Sequence, residues 1–227
     1  MIITISRQAA TNGGLIGRIV AERLGLHVFD RELVDEVARR MQVDPHIVLQ
    51  FDETSCGQVQ SLLWDWRAGV NEETYARYLR QALTRIAAED QAVVIGRGAT
   101  FVLHCSNCLH VRIVAPISLR VEIYRSFFDV TEHEAEKRIR LEDREKAAFV
   151  RRLFNGDIND PENYDLVVNL AGLTPEMAME LIIQAAKQRV AAQLTVEPKA
   201  TLKQHVEVMT RHRRPVRPEV VERHRVK

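Results

Sequence analysis

Apolar positions along this chain switch between two spacings, and the switches mark its elements. Ile2-Ile3-Thr4-Ile5 is a short β-branched run ending at Ser6-Arg7, which predicts a strand over Ile2–Ile5. A glycine-bearing loop follows, from Ala9 to Gly14. Leu15, Ile16, Ile19, Val20 and Leu24 then recur at helical spacing until Gly25 stops them. His27–Phe29 predicts a second strand, and Asp30 stands where an N-cap would, ahead of a helix through Met41. The pattern over 42–70 is less regular and reads as mostly helical. Beyond it come a helix over Glu72–Ala88 and a buried-type strand, Ala92–Ile95, running into Gly96-Arg97-Gly98. A strand over Leu109–Val114 is stopped by Ala115-Pro116. Helical patterns cover Ser118–Phe128, the highly charged Thr131–Phe154 and Pro175–Leu194, with a last strand at Leu166–Val168.

Strands alternating with helices imply an α/β fold whose parallel sheet is covered on both faces. Ligands of such sheets bind beyond the carboxyl ends of the strands. Ser6-Arg7, Asp30-Arg31, Gly96-Arg97-Gly98 and Asn169 all fall there, so polar clusters from separate strands converge on one edge. The expected domain spans 1–195. From Pro198 to Lys227 the chain carries nine Lys or Arg, three Glu and three Pro, which predicts a basic, poorly packed tail over 196–227.

Composition narrows this picture. With 227 residues and 46% apolar content, the chain can build a core without disulfide or metal staples. Its formal net charge of +1 gives no overall pull towards nucleic acid or membrane, so any charge argument is local. No apolar run approaches the about 18 residues of a membrane span, and the amino terminus has no signal-peptide pattern. The expected location is therefore cytoplasmic, with Cys56, Cys105 and Cys108 as reduced thiols.

The candidate chemistry begins in the first loop. Backbone amides at a helix start can chelate phosphate oxygens, and glycine lets the backbone approach closely. The usual nucleotide loop also places a lysine and a Ser or Thr hydroxyl at the helix start. Here Gly13 and Leu15 stand in their places, so both are missing. Ala10, Thr11, Asn12, Gly13, Gly14 and Leu15 remain the candidates for holding donor phosphates. Arg7, leaving the strand beside them, is the natural charge substitute, because its planar fork suits phosphate.

Met1-Ile-Ile-Thr-Ile-Ser-Arg7, Gly13, Ile16-Gly17, Phe29-Asp30-Arg31-Glu32 and Gly96-Arg97-Gly98-Ala99 resemble the cytidylate-kinase-like family, a branch of the P-loop nucleoside monophosphate kinases. Asn163-Tyr164-Asp165-Leu166-Val167-Val168-Asn169 resembles its last strand. The resemblance implies a P-loop kinase-type three-layer fold, with a parallel sheet and a helical lid over about 130–157. It implies transfer of a phosphoryl group from ATP, with Mg²⁺, to a nucleoside monophosphate. Arg31 and Arg97 would meet the acceptor phosphate, with Asp30 and Gly96 beside them. Arg138, Arg144, Asp143 and Lys146 would act from the lid. The family's loop opens S-R-E-x-G-S-G-G, whereas Gln8 replaces the Glu, and Ala10 and Asn12 replace glycines. In cytidylate kinases an Asp that helps read cytosine follows the arginine of Arg97. Here it is Gly98.

Other readings stay beside this one. A degenerate kinase fold could bind nucleotide as a sensor without turnover. Cys105-Ser-Asn-Cys108 has zinc-like spacing but lacks a second pair, so two thiols in a turn is the plainer reading and no metal ligand is expected. Trp64 and Trp66 could stack a base or pack a helix. The expected partners are nucleotides; neither membrane nor nucleic acid is expected, and homo-oligomer formation stays open.

Overall fold

The computed structural model describes residues 1–49, 71–89 and 91–195. Residues Met1–Val190 form one compact unit. Its strands are β1 (Ile2–Arg7), β2 (His27–Phe29), β3 (Ala92–Ile95), β4 (Cys108–Val114) and β5 (Leu166–Asn169). They form one parallel sheet in the order β2-β3-β1-β4-β5. The helices are α1 (Gly13–Leu24), α2 (Glu32–Met41), α3 (Pro45–Leu49), α4 (Glu72–Glu89), α5 (Ile117–Phe127), α6 (Glu132–Phe154) and α7 (Pro175–Thr195).

Strand alternation sorts the apolar residues onto two faces. Ile3, Ile5, Val93, Ile95, Val111 and Ile113 pack with Ile16, Val20, Ile182 and Ile183 of α1 and α7. Ile2, Ala92 and Val94 pack on the other face with Leu33, Leu79, Leu83, Phe149 and Leu153 of α2, α4 and α6. The result is the three-layer arrangement expected. A small third cluster, Ala9, Val121, Ala135 and Ile139, joins the first loop to α5 and the start of α6. Among the described residues, no helix is long and apolar enough to cross a membrane.

Three local expectations are corrected. β1 continues two residues past Ile5, because Ser6 and Arg7 pair with Arg112 and Ile113 of β4. Arg31, not Asp30, occupies the N-cap of α2, and the Asp30 carboxylate is drawn into ion pairs instead. Cys105 and Cys108 form a disulfide, not free thiols; the turn between them brings their Cα atoms to 5.1 Å, within bridging range. Most of the irregular 42–70 stretch, with Cys56, Trp64 and Trp66, lies outside the described residues, as does the 196–227 tail.

Candidate functional site

β1 lies between β3 and β4, so the loop after Arg7 emerges at the middle of the sheet edge. Two residues of this loop, Ala10 (φ 58°) and Asn12 (φ 54°), adopt left-handed backbone. Asparagine tolerates this conformation, whereas at Ala10 it costs about 1 kcal/mol or more. These are the two positions at which this chain replaces a glycine of the resembling loop. Gly13 is required for another reason. A Cβ there would lie 2.7 Å from Cβ of Arg7, and one at Gly17 would lie 2.9 Å from Cδ1 of Ile5. Both glycines let the start of α1 lie directly on β1.

The loop is braced by its own polar groups. The Ala115 amide donates to Gln8 Oε1 at 3.0 Å, tying the loop to the end of β4. The buried Thr11 hydroxyl donates to the Gln8 carbonyl at 2.9 Å and accepts from the Gly13 amide at 3.3 Å. A helix cannot satisfy the amides of its first turn internally, and the Asn12 side chain does not cap them. With Gly13 turned to Thr11, the amides of Gly14 and Leu15 are those that a bound anion would meet.

The α5–α6 pair closes over this loop. Asp143 of α6 accepts from the Ala9 amide at 2.8 Å and from Arg120 Nη1 at 2.6 Å. Arg120, buried on α5, also donates to the carbonyls of Ala115 at 3.0 Å and Ala9 at 3.3 Å. One arginine and one carboxylate thus latch α5, α6 and the loop together.

Beside the latch lies a cavity of about 150 Å³, lined by Arg7, Gln8, Arg112, Asp143, Arg144 and Lys146 among others. That is room for a phosphoryl group. Arg112 and Lys146 are each 5% exposed. Lys146 Nζ pairs with Glu142 at 2.7 Å. Cations set in low-dielectric walls focus a positive potential into such a space and draw anions to it.

The second cluster is more open. Asp30 Oδ2 pairs with Arg18 of α1 at 2.7 Å, and its Oδ1 lies 3.8 Å from Nη1 of the buried Arg97. Arg97 itself has φ 55°, and Gly98 after it has φ 64°. A Cβ on Gly98 would lie 2.1 Å from Cε2 of Phe154. The space that a side chain at position 98 would take is therefore filled by the Phe154 ring. Arg31 is exposed beside this cluster. Glu32 is held below the usual carboxylate range, chiefly by its own backbone amide.

The structure thus brings Arg7, Asp143, Arg144 and Lys146 to one cavity, with the 10–15 loop beside it. Asp30, Gly96 and Arg97 share the neighbouring strand ends. Arg138 is exposed on α6 and does not line the cavity, and Leu15 is 58% exposed. Sequence reasoning missed Arg112 and Arg120. The signal for Arg112 was available: a lone arginine inside the apolar run Leu109–Val114 of a strand covered on both faces.

A family model described as the cytidylate kinase-like family matches residues 2–171. An uncharacterised protein from Eubacterium ventriosum has the same fold, with TM-score 0.63 and 20% identity over 83% of this chain and 98% of that one. Shikimate kinase from Aquifex aeolicus aligns with TM-score 0.44 and 14% identity over 84% of this chain and 99% of that one. A uronate isomerase from Corynebacterium glutamicum is 28% identical over 137 residues, 59% of this chain. The chain spans about a quarter (26%) of the length of that relative.

Proposed function

The chain belongs to the cytidylate kinase-like family, and we propose on that footing that it transfers a phosphoryl group from ATP to a nucleoside monophosphate. The observation that carries this reading is the cationic cavity at the carboxyl ends of β1 and β4, walled by Arg7, Arg112, Arg144 and Lys146. In the transfer, an anionic oxygen of the acceptor phosphate bonds to the γ-phosphorus. The bond to the β–γ bridging oxygen breaks, and its electron pair leaves with ADP. No proton must be removed from an ionised acceptor phosphate, so positioning and charge neutralisation suffice. This suits Asp143, whose oxygens are engaged by Ala9 and Arg120 instead of being presented as a base.

The amides of Gly14 and Leu15 hold the donor phosphates in this reading, and the cavity cations bear on the group in flight. Arg97, backed by Asp30, and the exposed Arg31 hold the acceptor phosphate. Residues 13–15 offer no hydroxyl for Mg²⁺, and the Thr11 hydroxyl is buried against Gln8. The loop is therefore not a magnesium site, and the ion would travel on the nucleotide's phosphates and water.

The test is a panel of nucleoside monophosphates incubated with ATP and Mg²⁺, read by product formation and thermal shift. A diphosphate product from one or more of them is expected. The uronate isomerase relative makes uronates a worthwhile second acceptor class in the same panel. A phosphorylated uronate with no nucleoside diphosphate made from a monophosphate would replace the acceptor but keep phosphoryl transfer. A thermal shift with ATP and no product from any acceptor would make the chain a nucleotide sensor.

A further inference from the structure

We infer that Arg112 supplies the charge of the absent loop lysine, bearing on the phosphoryl group while it is transferred. The inference rests on the phosphotransfer proposed for the cavity. Register explains how a strand residue can reach that place. Arg112 pairs with Ser6 across the β1–β4 ladder, one residue before the loop-bearing end of β1. Its side chain therefore leaves the sheet on the same face as Ser6, towards the region below α6.

The guanidinium is held on more than one side. Nη1 donates to Ser6 Oγ at 2.7 Å, and Nη2 donates to Asn159 Oδ1 at 3.2 Å. Its central carbon lies 5.9 Å from the centre of the Tyr164 ring. The Tyr164 hydroxyl is fixed in turn, donating to the Ile158 carbonyl at 2.8 Å and lying 3.3 Å from Ser6 Oγ. Burial pushes the Tyr164 phenol above its ordinary range, so it stays a neutral donor. Ser6, Asn159 and Tyr164 are positioning residues: they fix the fork of Arg112 before any ligand arrives. A rigid fork loses little freedom on meeting a phosphate, and a charge fixed beforehand at the cavity wall needs little reorganisation.

Arg7 leaves β1 on the opposite face, below Gly13, yet lines the same cavity. The two arginines thus approach one space from both sides of the sheet edge. A loop lysine approaches from the helix start only. The missing lysine is then a relocation of charge into the sheet.

The test uses the full chain as wild type, Arg112→Met, Arg112→Lys and Tyr164→Phe. Each is titrated calorimetrically with inorganic phosphate and with ATP, and assayed with the acceptor the panel identifies. Arg112→Met is expected to weaken phosphate binding by about tenfold or more and to lower kcat by roughly 100-fold, with KM for the acceptor changed only a few-fold. Arg112→Lys should recover part of the phosphate affinity, and Tyr164→Phe should lose about threefold because one brace is gone. Should Arg112→Met not fold, the lysine and phenylalanine variants carry the test. Equal phosphate affinity and equal kcat in folded variants and wild type would make Arg112 a structural residue and overturn the inference while leaving phosphotransfer standing. Wild-type protein that binds neither phosphate nor ATP would overturn phosphotransfer itself, and the inference with it.

Discussion

At the scale of single residues, Gly98 and Phe154 decide more than their sizes suggest. The left-handed backbone at Gly98 and the ring over it exclude any side chain there. Gly98→Asp is expected to destabilise the fold by about 2 kcal/mol or more. Urea unfolding measures this. The pair Gly98→Asp with Phe154→Ala should be less unstable than the sum of the two singles, because the ring and the carboxylate contend for one space. Strict additivity would mean that they do not. The same contact bears on recognition: a ligand here would meet an aromatic edge in place of a side chain at position 98.

At the scale of elements, the α5–α6 pair is joined to the loop by few groups. α6 starts with a complete capping box, Thr131 with Glu134, so the helix itself is well begun. Beside the small apolar cluster, its attachment to the loop runs through Asp143, which is about a quarter exposed and holds both Arg120 and the Ala9 amide. Asp143→Asn removes the charge paired with a buried arginine and is expected to cost about 2 kcal/mol, short of a fully buried pair because of that exposure. It should also speed hydrogen exchange at Ala9 by a larger factor than at α7. Uniform acceleration across the chain would mean that the residue steadies the whole fold and not the latch. Much of this architecture was legible beforehand. β-branched runs set the strands, Gly25 and Ala115-Pro116 ended elements, and the charged run over 131–154 announced a helix of its own. The latch was not legible. Asp143 and Arg120 are ordinary members of helical charge patterns, and only packing α5 on α6 brings them together. Left-handed backbone at Ala10 and Arg97 was equally hidden, because neither residue type announces it.

At the scale of the molecule, the sheet carries a pH-sensitive brace two residues before Arg112 on β4. Thr4 of β1 links Thr100 and His110 Nδ1 at 2.8 Å each. Burial pushes the His110 pKa below its ordinary 6.5, outweighing the nearby Asp165, while Arg189 and His104 add to the depression. The unfolded chain therefore takes up a proton near pH 6.5 that the folded chain still refuses. Stability contributed by neutral His110 is complete above that pH and is lost as pH falls through the folded value. Urea midpoints from about pH 8 to 5 should decline for the wild type and decline less for His110→Asn. Parallel curves would assign the decline to other groups. A broader consequence follows from the place of β1. The phosphate loop is the continuation of the sheet's innermost strand, joined to β3 and β4 along its length. The loop is therefore anchored at its start by the strand whose loss would open the whole sheet. A phosphate compound seated there would stabilise the folded sheet by mass action and so slow proteolysis that proceeds through global unfolding.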